Sequence, residues 1–182
     1  MAEANAPCVA CLGFFDGVHR GHLQLLKTAR KAADQEGLTV CVHTFDRAPG
    51  DKDFALTTLE ERKKLLLAAG ADQVWVSDFD ERMRHMSGEE FFQKVVLGQL
   101  NARHVVCGDD HRFGYRGACG VKELRAMCEK AGVLLSVVPP VTLENGERIS
   151  STAVRRAIMN GDIALAERML GRKMLALSGK TE

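Results

Sequence analysis

Residues 8–33 read CVACLGFFDGVHRGHLQLLKTARKAA, and the expected fold follows from the order of their parts. CVACLGF, at the start, is apolar and predicts a first buried strand. Leucines and alanines recur at helical spacing from Leu23 to Ala33, which predicts a helix. The polar segment FDGVHRGH therefore leaves a strand and enters the first turn of a helix.

The same alternation continues along the chain. Further strands are predicted at LTVCVHTF (38–45), QVWVSDF (73–79), HVVCG (104–108) and VLLSVVPPV (133–141). Further helices are predicted at TTLEERKKLLLAAG (57–70), SGEEFFQKVVLGQL (87–100), VKELRAMCEKAG (121–132), STAVRRAIMNG (151–161) and DIALAERMLG (162–171). Strands that are apolar on both faces and alternate with helices form a parallel sheet covered on both sides. The predicted fold class is α/β, a Rossmann-like three-layer sandwich with about five parallel strands, in a single domain over residues 1–182.

The composition is that of an ordinary soluble protein, with 46% hydrophobic and 27% charged residues. A net charge of +1 and a pI near 7.7 give no positive surface for nucleic acid or for an anionic membrane, so neither is an expected partner. No apolar run reaches membrane-spanning length and no basic region precedes the first one, so the expected location is the cytoplasm. Cys8 and Cys11 form a C-x-x-C, but in a strand they point to opposite faces, which favours buried free thiols. The composition indicates no oligomeric state.

The segment after the first strand is the first candidate site. In open parallel sheets, ligands bind beyond the carboxyl ends of the strands, where the strand order reverses. His19 and His22 are three residues apart at a helix start, whose free N–H groups and positive dipole end suit phosphate oxygens. Gly17 permits a tight turn, and Gly21 lets a ligand approach the backbone. Two capping or surface histidines would produce the same pattern.

Two later segments also leave predicted strands. CGDDHRFGYRG (107–117) combines acidic residues and arginines with Phe113 and Tyr115, which suits an aromatic phosphorylated ligand or a solvated loop. GERISSTAVRRAI (146–158) offers serine hydroxyls and Arg155 at a second helix start. Those serines either cap the helix or hold a second phosphate.

Six segments occur in the order expected of one family: GFFDGVHRGH, TFD, LTTLEER, GDDHRFG, RISSTAVR and GDIALAERMLGR. From about Val9 to Arg172 the chain resembles bacterial FAD synthetases, specifically the FMN adenylyltransferase module of bifunctional riboflavin kinase/FAD synthetase proteins. FDGVHRGH alone indicates the wider HxGH nucleotidyltransferase superfamily, and GDDHRFG with RISSTAVR narrows the resemblance to the flavin branch.

The resemblance implies an enzyme that transfers AMP from ATP to FMN, giving FAD and pyrophosphate without a covalent intermediate. It implies that His19 and His22 bind the ATP phosphates and stabilise the transition state, with Ser151 and Arg155 as a second phosphate clamp. The other implied binding residues for ATP or FMN are Gly13, Phe14, Asp16, Gly17, Gly21, Phe45, Asp110, Phe113, Arg148 and Ser150. Mg²⁺ is expected to be held mainly by the substrate phosphates, with no dedicated metal-binding residues.

The sequence departs from the family pattern in three places. TFDRAPG stands where TFxPHP is usual, so Arg47 and Ala48 replace a proline and a histidine. His111 stands where a phenylalanine is usual, and Phe14 where asparagine is frequent. No riboflavin kinase module follows within the 182 residues. Two alternatives stay open: transfer to another phosphorylated acceptor, such as phosphopantetheine or nicotinamide mononucleotide, and a non-catalytic flavin or nucleotide sensor.

Overall fold

A five-stranded parallel sheet forms the centre of the structure, a computed structural model that describes residues 6–50 and 54–174. The strands are β1 (Cys8–Leu12), β2 (Thr39–Phe45), β3 (Gln73–Ser77), β4 (Ala102–Gly108) and β5 (Leu134–Val138). Their order across the sheet is β3-β2-β1-β4-β5, and every neighbouring pair is parallel. The predicted Rossmann-like α/β fold is confirmed.

Helices cover both faces of this sheet. They are α1 (Arg20–Glu36), α2 (Leu59–Ala68), α3 (Glu81–His85), α4 (Gly88–Phe91) with a π-helix that continues it (Phe92–Gln99), α5 (Val121–Ala131), α6 (Ser151–Met159) and α7 (Ile163–Leu170). None of the helices within the described ranges is both long enough and apolar enough to cross a membrane.

Alternate residues of β1 pack into two separate cores. Val9 and Cys11 belong to a core with the buried face of α1, whereas Cys8 and Ala10 face the π-helix and α5. The two cysteines of the C-x-x-C thus lie on opposite faces, as the strand period requires. All six cysteines are free thiols, which confirms that interpretation.

The segment 87–100 differs from the single α-helix that the sequence predicts. Its first turn is α-helical with a Ser87–Glu90 capping box, but residues Phe92–Gln99 form a π-helix. In a π-helix the N–H groups bond five residues back, and the N–H of Leu100 does so, to the carbonyl of Val95. The wider turn buries Phe92 and Val96 against the sheet. The short helix α3 was not predicted at all.

The strand order reverses between β1 and β4. The chain builds β2 and β3 on one side of β1 and then returns to place β4 and β5 on the other side. A crevice therefore opens at the carboxyl ends of β1 and β4, where ligands bind in open α/β sheets. The segment after β1 (13–19), the segment after β4 and the start of α6 all reach this crevice.

Candidate functional site at the carboxyl ends of β1 and β4

The connection from β1 to α1, residues 13–19, is a strained loop held from several sides. Phe15 and Val18 have φ of 59° and 42°, values that non-glycine residues rarely adopt. Gly17 has φ of 81°, and its N–H donates to the Thr57 hydroxyl at 3.2 Å. The Thr44 hydroxyl donates to the Phe14 carbonyl at 2.8 Å. Such strain persists only where the surroundings fix it, and it is common at ligand sites.

His19 and His22 cap the start of α1 and contact each other. The Nδ1 atom of each imidazole accepts the backbone N–H of the other residue, at 3.3 and 3.4 Å. Their rings stack with centroids 3.6 Å apart. Because Nδ1 is the acceptor, the proton of each neutral ring is on Nε2, so each ring has one N–H to donate to a ligand. We call these two residues the histidine pair.

Removal from water keeps the histidine pair uncharged. Burial lowers the pKa of His19 to about 4, against the opposing effect of the Asp16 carboxylate. Burial, and then the neighbouring His19, lower the pKa of His22 well below its ordinary value. Both rings are therefore neutral hydrogen-bond donors at neutral pH in the ligand-free protein.

Acid is expected to destabilise the protein through its buried histidines. Burial also lowers the pKa of His111 to about 4 and of His43 to about 3. The pKa of an unfolded histidine is about 6.5, so the stabilisation from each buried neutral histidine is fully present above that pH and is lost as the pH falls towards the folded pKa. Each such histidine contributes about 1.4 kcal/mol per pH unit within this window.

Urea unfolding at a series of pH values from about 7.5 to 5 measures this loss, in a range where most carboxylates remain ionised. His111→Phe should reduce the slope by the contribution of one proton. An unfolding free energy that stays constant from about pH 6.5 to 5 would contradict the prediction.

Asp16 joins the loop to α6 and to the segment before α2. Its buried carboxylate pairs with the Arg155 guanidinium and accepts the N–H groups of Leu56 and Thr57 at 3.0 and 3.1 Å. The Ser151 hydroxyl donates to the Asp16 carbonyl at 2.9 Å. In the structure Ser151 and Arg155 hold the loop in place. Their contact with phosphate stays a prediction. Ser150 is the residue that caps α6, accepting from the Ala153 N–H at 3.1 Å.

A cavity of about 370 Å³ brings most of the predicted residues together. The predicted residues that line it are Gly13, Phe14, Asp16, His19, Gly21, His22, Asp110, Arg148, Ser150, Ser151 and Arg155. Arg148 bridges Asp109 and Asp110 at its edge, with N–O distances of 2.8 and 2.9 Å. A Cβ on Gly21 would lie 3.0 Å from the His19 ring, so the absence of a side chain there serves the histidine pair as well as a ligand.

A second cavity of about 890 Å³ has several aromatic and imidazole rings in its wall. Phe45 and Phe113 line it, as does the segment 47–50 that follows β2. Tyr115, which the sequence pairs with Phe113 as suited to an aromatic ligand, also lines it, whereas five other ring-bearing residues of the wall were not predicted as site residues: His43, Phe79, His85, Phe91 and His111. They come from five separate segments, so only the TFD and GDDHRFGYR motifs gave any signal for this wall. The two cavities share Leu12, Gly13, Pro49 and His111 in their linings.

His111 lines both cavities, and one nitrogen of its ring has no hydrogen-bond partner among the described residues. Its ring stacks on Phe113 with centroids 5.7 Å apart. Its Nε2 atom is buried and bonds to no group in the described part of the chain. Because it lines both cavities, it adjoins any ligand that extends from one cavity into the other.

Known proteins resemble this chain over most of its length. A family model described as FAD synthetase matches residues 1–153. The bifunctional riboflavin kinase/FMN adenylyltransferase of Bacillus subtilis is 34% identical over 179 residues, covering 94% of this chain and 55% of that protein. The protein so described in Escherichia coli K12 is 36% identical over 182 residues, covering 95% and 56%. The chain spans about half the length of the curated relatives it matches.

Two solved structures share the fold. A structure described as a macrolide-efflux protein from Streptococcus pneumoniae superposes with a TM-score of 0.82 at 30% identity, covering 93% of this chain and 58% of that one. Pantoate–β-alanine ligase from Francisella tularensis, complexed with an ATP ligand and β-alanine, gives a TM-score of 0.55 at 12% identity, covering 98% and 76%. At that identity the second likeness concerns the fold alone.

Proposed function

We propose, from the premise that this chain belongs to the FAD synthetase family, that it transfers the adenylyl group of ATP to FMN. The products are FAD and pyrophosphate. The observation that carries the proposal is the meeting of the two cavities at Gly13 and His111, next to the histidine pair. The smaller cavity has the features of a phosphate site, and the larger has the aromatic lining that suits a flavin ring.

The sizes and linings agree with this division. A volume of about 890 Å³ lies within the range of small-molecule sites, roughly 300–1,000 Å³, which are mostly apolar with a few polar groups. Phe45, Phe91 and Phe113 supply apolar faces for a planar ring. The smaller cavity collects the histidine pair and the start of α6, where N–H groups and the helix dipole favour anions.

The proposed reaction is one in-line displacement. An oxygen of the FMN phosphate attacks the α-phosphorus of ATP, a new P–O bond forms, and the bond to the β-phosphate oxygen breaks with release of pyrophosphate. The histidine pair would donate Nε2–H bonds to phosphate oxygens whose charge grows in the transition state. Because the strained loop and α1 hold these donors in advance, little reorganisation is needed during the reaction.

Mg²⁺ would enter with the nucleotide. The described residues contain no group of three His, Cys, Asp or Glu side chains arranged to hold a metal. Asp109 and Asp110, the acidic residues at the edge of the smaller cavity, are both paired with Arg148. This donor set fits a metal held by phosphate oxygens, and the bound ion would neutralise part of their charge.

The test is the reaction itself. We expect purified protein with ATP, FMN and Mg²⁺ to produce FAD, identified by mass spectrometry, and pyrophosphate in equal amounts. Omission of FMN should abolish both products. Formation of neither product at any substrate concentration would contradict the proposal.

A second acceptor is the main alternative, and the lining of the larger cavity is the reason to test it. Arg47 and Ala48 lie in its wall, as does His111, at positions where the sequence departs from the family pattern. An acceptor panel of FMN, phosphopantetheine and nicotinamide mononucleotide, scored by pyrophosphate release, separates the candidates. Binding of FMN and ATP without turnover would instead favour a sensor.

A single unit over residues 1–182 and a cytoplasmic location stay part of the proposal.

A further inference from the structure

Three arginine side chains contact the β1–α1 loop, and only Arg155 of the three also lines the smaller cavity. Arg155 is neutralised by its ion pair with Asp16. Arg62 and Arg172 bind only backbone carbonyls and an aromatic ring, and neither forms an ion pair with a described carboxylate. The loop is therefore contacted by two arginines that have no carboxylate at ion-pair distance among the described residues.

Arg62 is the more deeply buried of the two, with only 2% of its surface exposed. Its Nη2 donates to the Phe45 carbonyl at 2.5 Å, and its guanidinium lies 4.2 Å from the centroid of the Phe14 ring. Its Nε has no hydrogen-bond partner among the residues described. Burial lowers its pKa, but a guanidinium remains charged in proteins.

The carboxylates nearest to Arg62 are already neutralised by other residues. Asp16 and Asp46 both act on it electrostatically, but from beyond ion-pair distance. Asp16 is paired with Arg155, and Asp46 with Arg47 at 3.1 Å. A buried cation without a close counter-ion costs stability, and a bound ligand is a group that this charge could stabilise.

Arg172 also holds the loop, and Glu61 acts on its charge from beyond ion-pair distance. Its two terminal nitrogens donate to the carbonyls of Gly17 and Val18, at 2.7 and 3.0 Å. Its positive charge disfavours protonation of His19, so its field reaches the histidine pair and lowers the pKa there. The same positive field that disfavours the charged form of His19 stabilises a bound anion.

We propose that Arg62 and Arg172 are positioning residues that attract the polyphosphate of the nucleotide without touching it, because both place a positive charge with no carboxylate at ion-pair distance next to the β1–α1 loop. Phe14 lies between Arg62 and the smaller cavity, since its ring contacts the Arg62 guanidinium and Phe14 also lines that cavity. The inference rests on the proposed function for the identity of the anion. It predicts that a bound polyphosphate is stabilised by the positive charge of both arginines.

Calorimetric titration of ATP with Mg²⁺ into the full chain tests this. Arg62→Met, which removes the charge but keeps an apolar side chain of similar length, should raise the ATP Kd about tenfold. Arg62→Lys, which keeps the charge, should stay within about threefold of wild type. The Kd for riboflavin, which has no phosphate, should be unchanged in both variants.

The control variant is Lys64→Met, which removes an exposed positive charge from the same helix and should leave the ATP Kd unchanged. The ligand-free melting temperature of Arg62→Met should stay within about 4 °C of wild type, because loss of an unpaired buried charge offsets loss of one hydrogen bond. If Arg62→Met does not fold, the ATP Kd of Arg172→Met provides the test, with the same expected weakening.

An ATP Kd within about twofold of wild type in the folded Met variant would overturn the inference. Equal weakening in Arg62→Lys and Arg62→Met would overturn it too, since side-chain shape rather than charge would then be responsible. These results are separable from failure of the proposed function. Wild-type protein that binds ATP but forms no FAD would contradict the function and leave the role of the arginines open to the same titration.

Discussion

His22→Ala is expected to lower kcat/KM for FAD formation by about 10²–10³-fold, the usual effect of removing one donor that stabilises transition-state charge. The His22 ring is neutral, and its Nδ1 is taken by the His19 N–H, so its one available proton is on Nε2. Alanine removes that donor together with the ring that stacks on His19.

The same substitution should cost little stability. His22 supplies one half of the capping box of α1, and loss of a cap costs about 1 kcal/mol. Initial rates with saturating ATP and varied FMN, together with thermal unfolding, separate the two effects. Gln24→Ala, at an exposed position of the same helix, is the matched control and should change neither quantity. A loss of activity smaller than about tenfold in His22→Ala would contradict the role given to the histidine pair.

Asp16→Ala is expected to cost about 3–5 kcal/mol of unfolding free energy, because it leaves the Arg155 charge buried without its partner. Arg155 is 5% exposed and Asp16 is 2% exposed, so water cannot replace the lost carboxylate. The N–H groups of Leu56 and Thr57 also lose their acceptor. At about 2–4 °C per kcal/mol, the melting temperature should fall by about 10 °C.

Arg148→Ala is the matched control for this prediction. It removes an arginine that also pairs with aspartate, but its side chain is 44% exposed, and those of Asp109 and Asp110 are 40% and 70% exposed. Exposed ion pairs contribute about 0–1 kcal/mol, so the melting temperature should hardly change. Urea unfolding of both variants measures the difference. Equal losses in the two variants would show that burial of the Asp16 pair does not matter.

The sequence predicted the positions of local structure well, because local structure follows from periodicity and short capping motifs. In TTLEER, Thr57 with Glu60 and Thr58 with Glu61 both have the spacing of a capping box, and the structure forms the second of these. Thr57, which has the same spacing to Glu60, instead binds Asp16 and Gly17. Spacing alone does not distinguish the two capping boxes. The contact of Thr57 with the β1–α1 loop leaves Thr58 to cap α2.

Most of the wall of the larger cavity could not be predicted from the sequence. In the sequence, Phe91 is one of several apolar residues of a predicted helix, and His85 lies in a charged segment. In the structure the His85 ring stacks on Tyr115 at 4.9 Å and the Phe91 ring contacts His43 at 5.4 Å. Neither contact has a sequence signature, because the partners are distant in the chain and their side chains are ordinary core or surface types.

What the sequence determined by itself is the order of strands and helices, the parallel sheet that this order implies, and two histidines at the first turn of α1. Each of these follows from spacing over a few residues. Only the tertiary structure decided that Asp16 neutralises Arg155 across 139 positions of the chain, and that Arg62 keeps its charge without such a partner. The physical reason is that charges interact through space, so the potential around a loop depends on which buried groups the packing brings behind it.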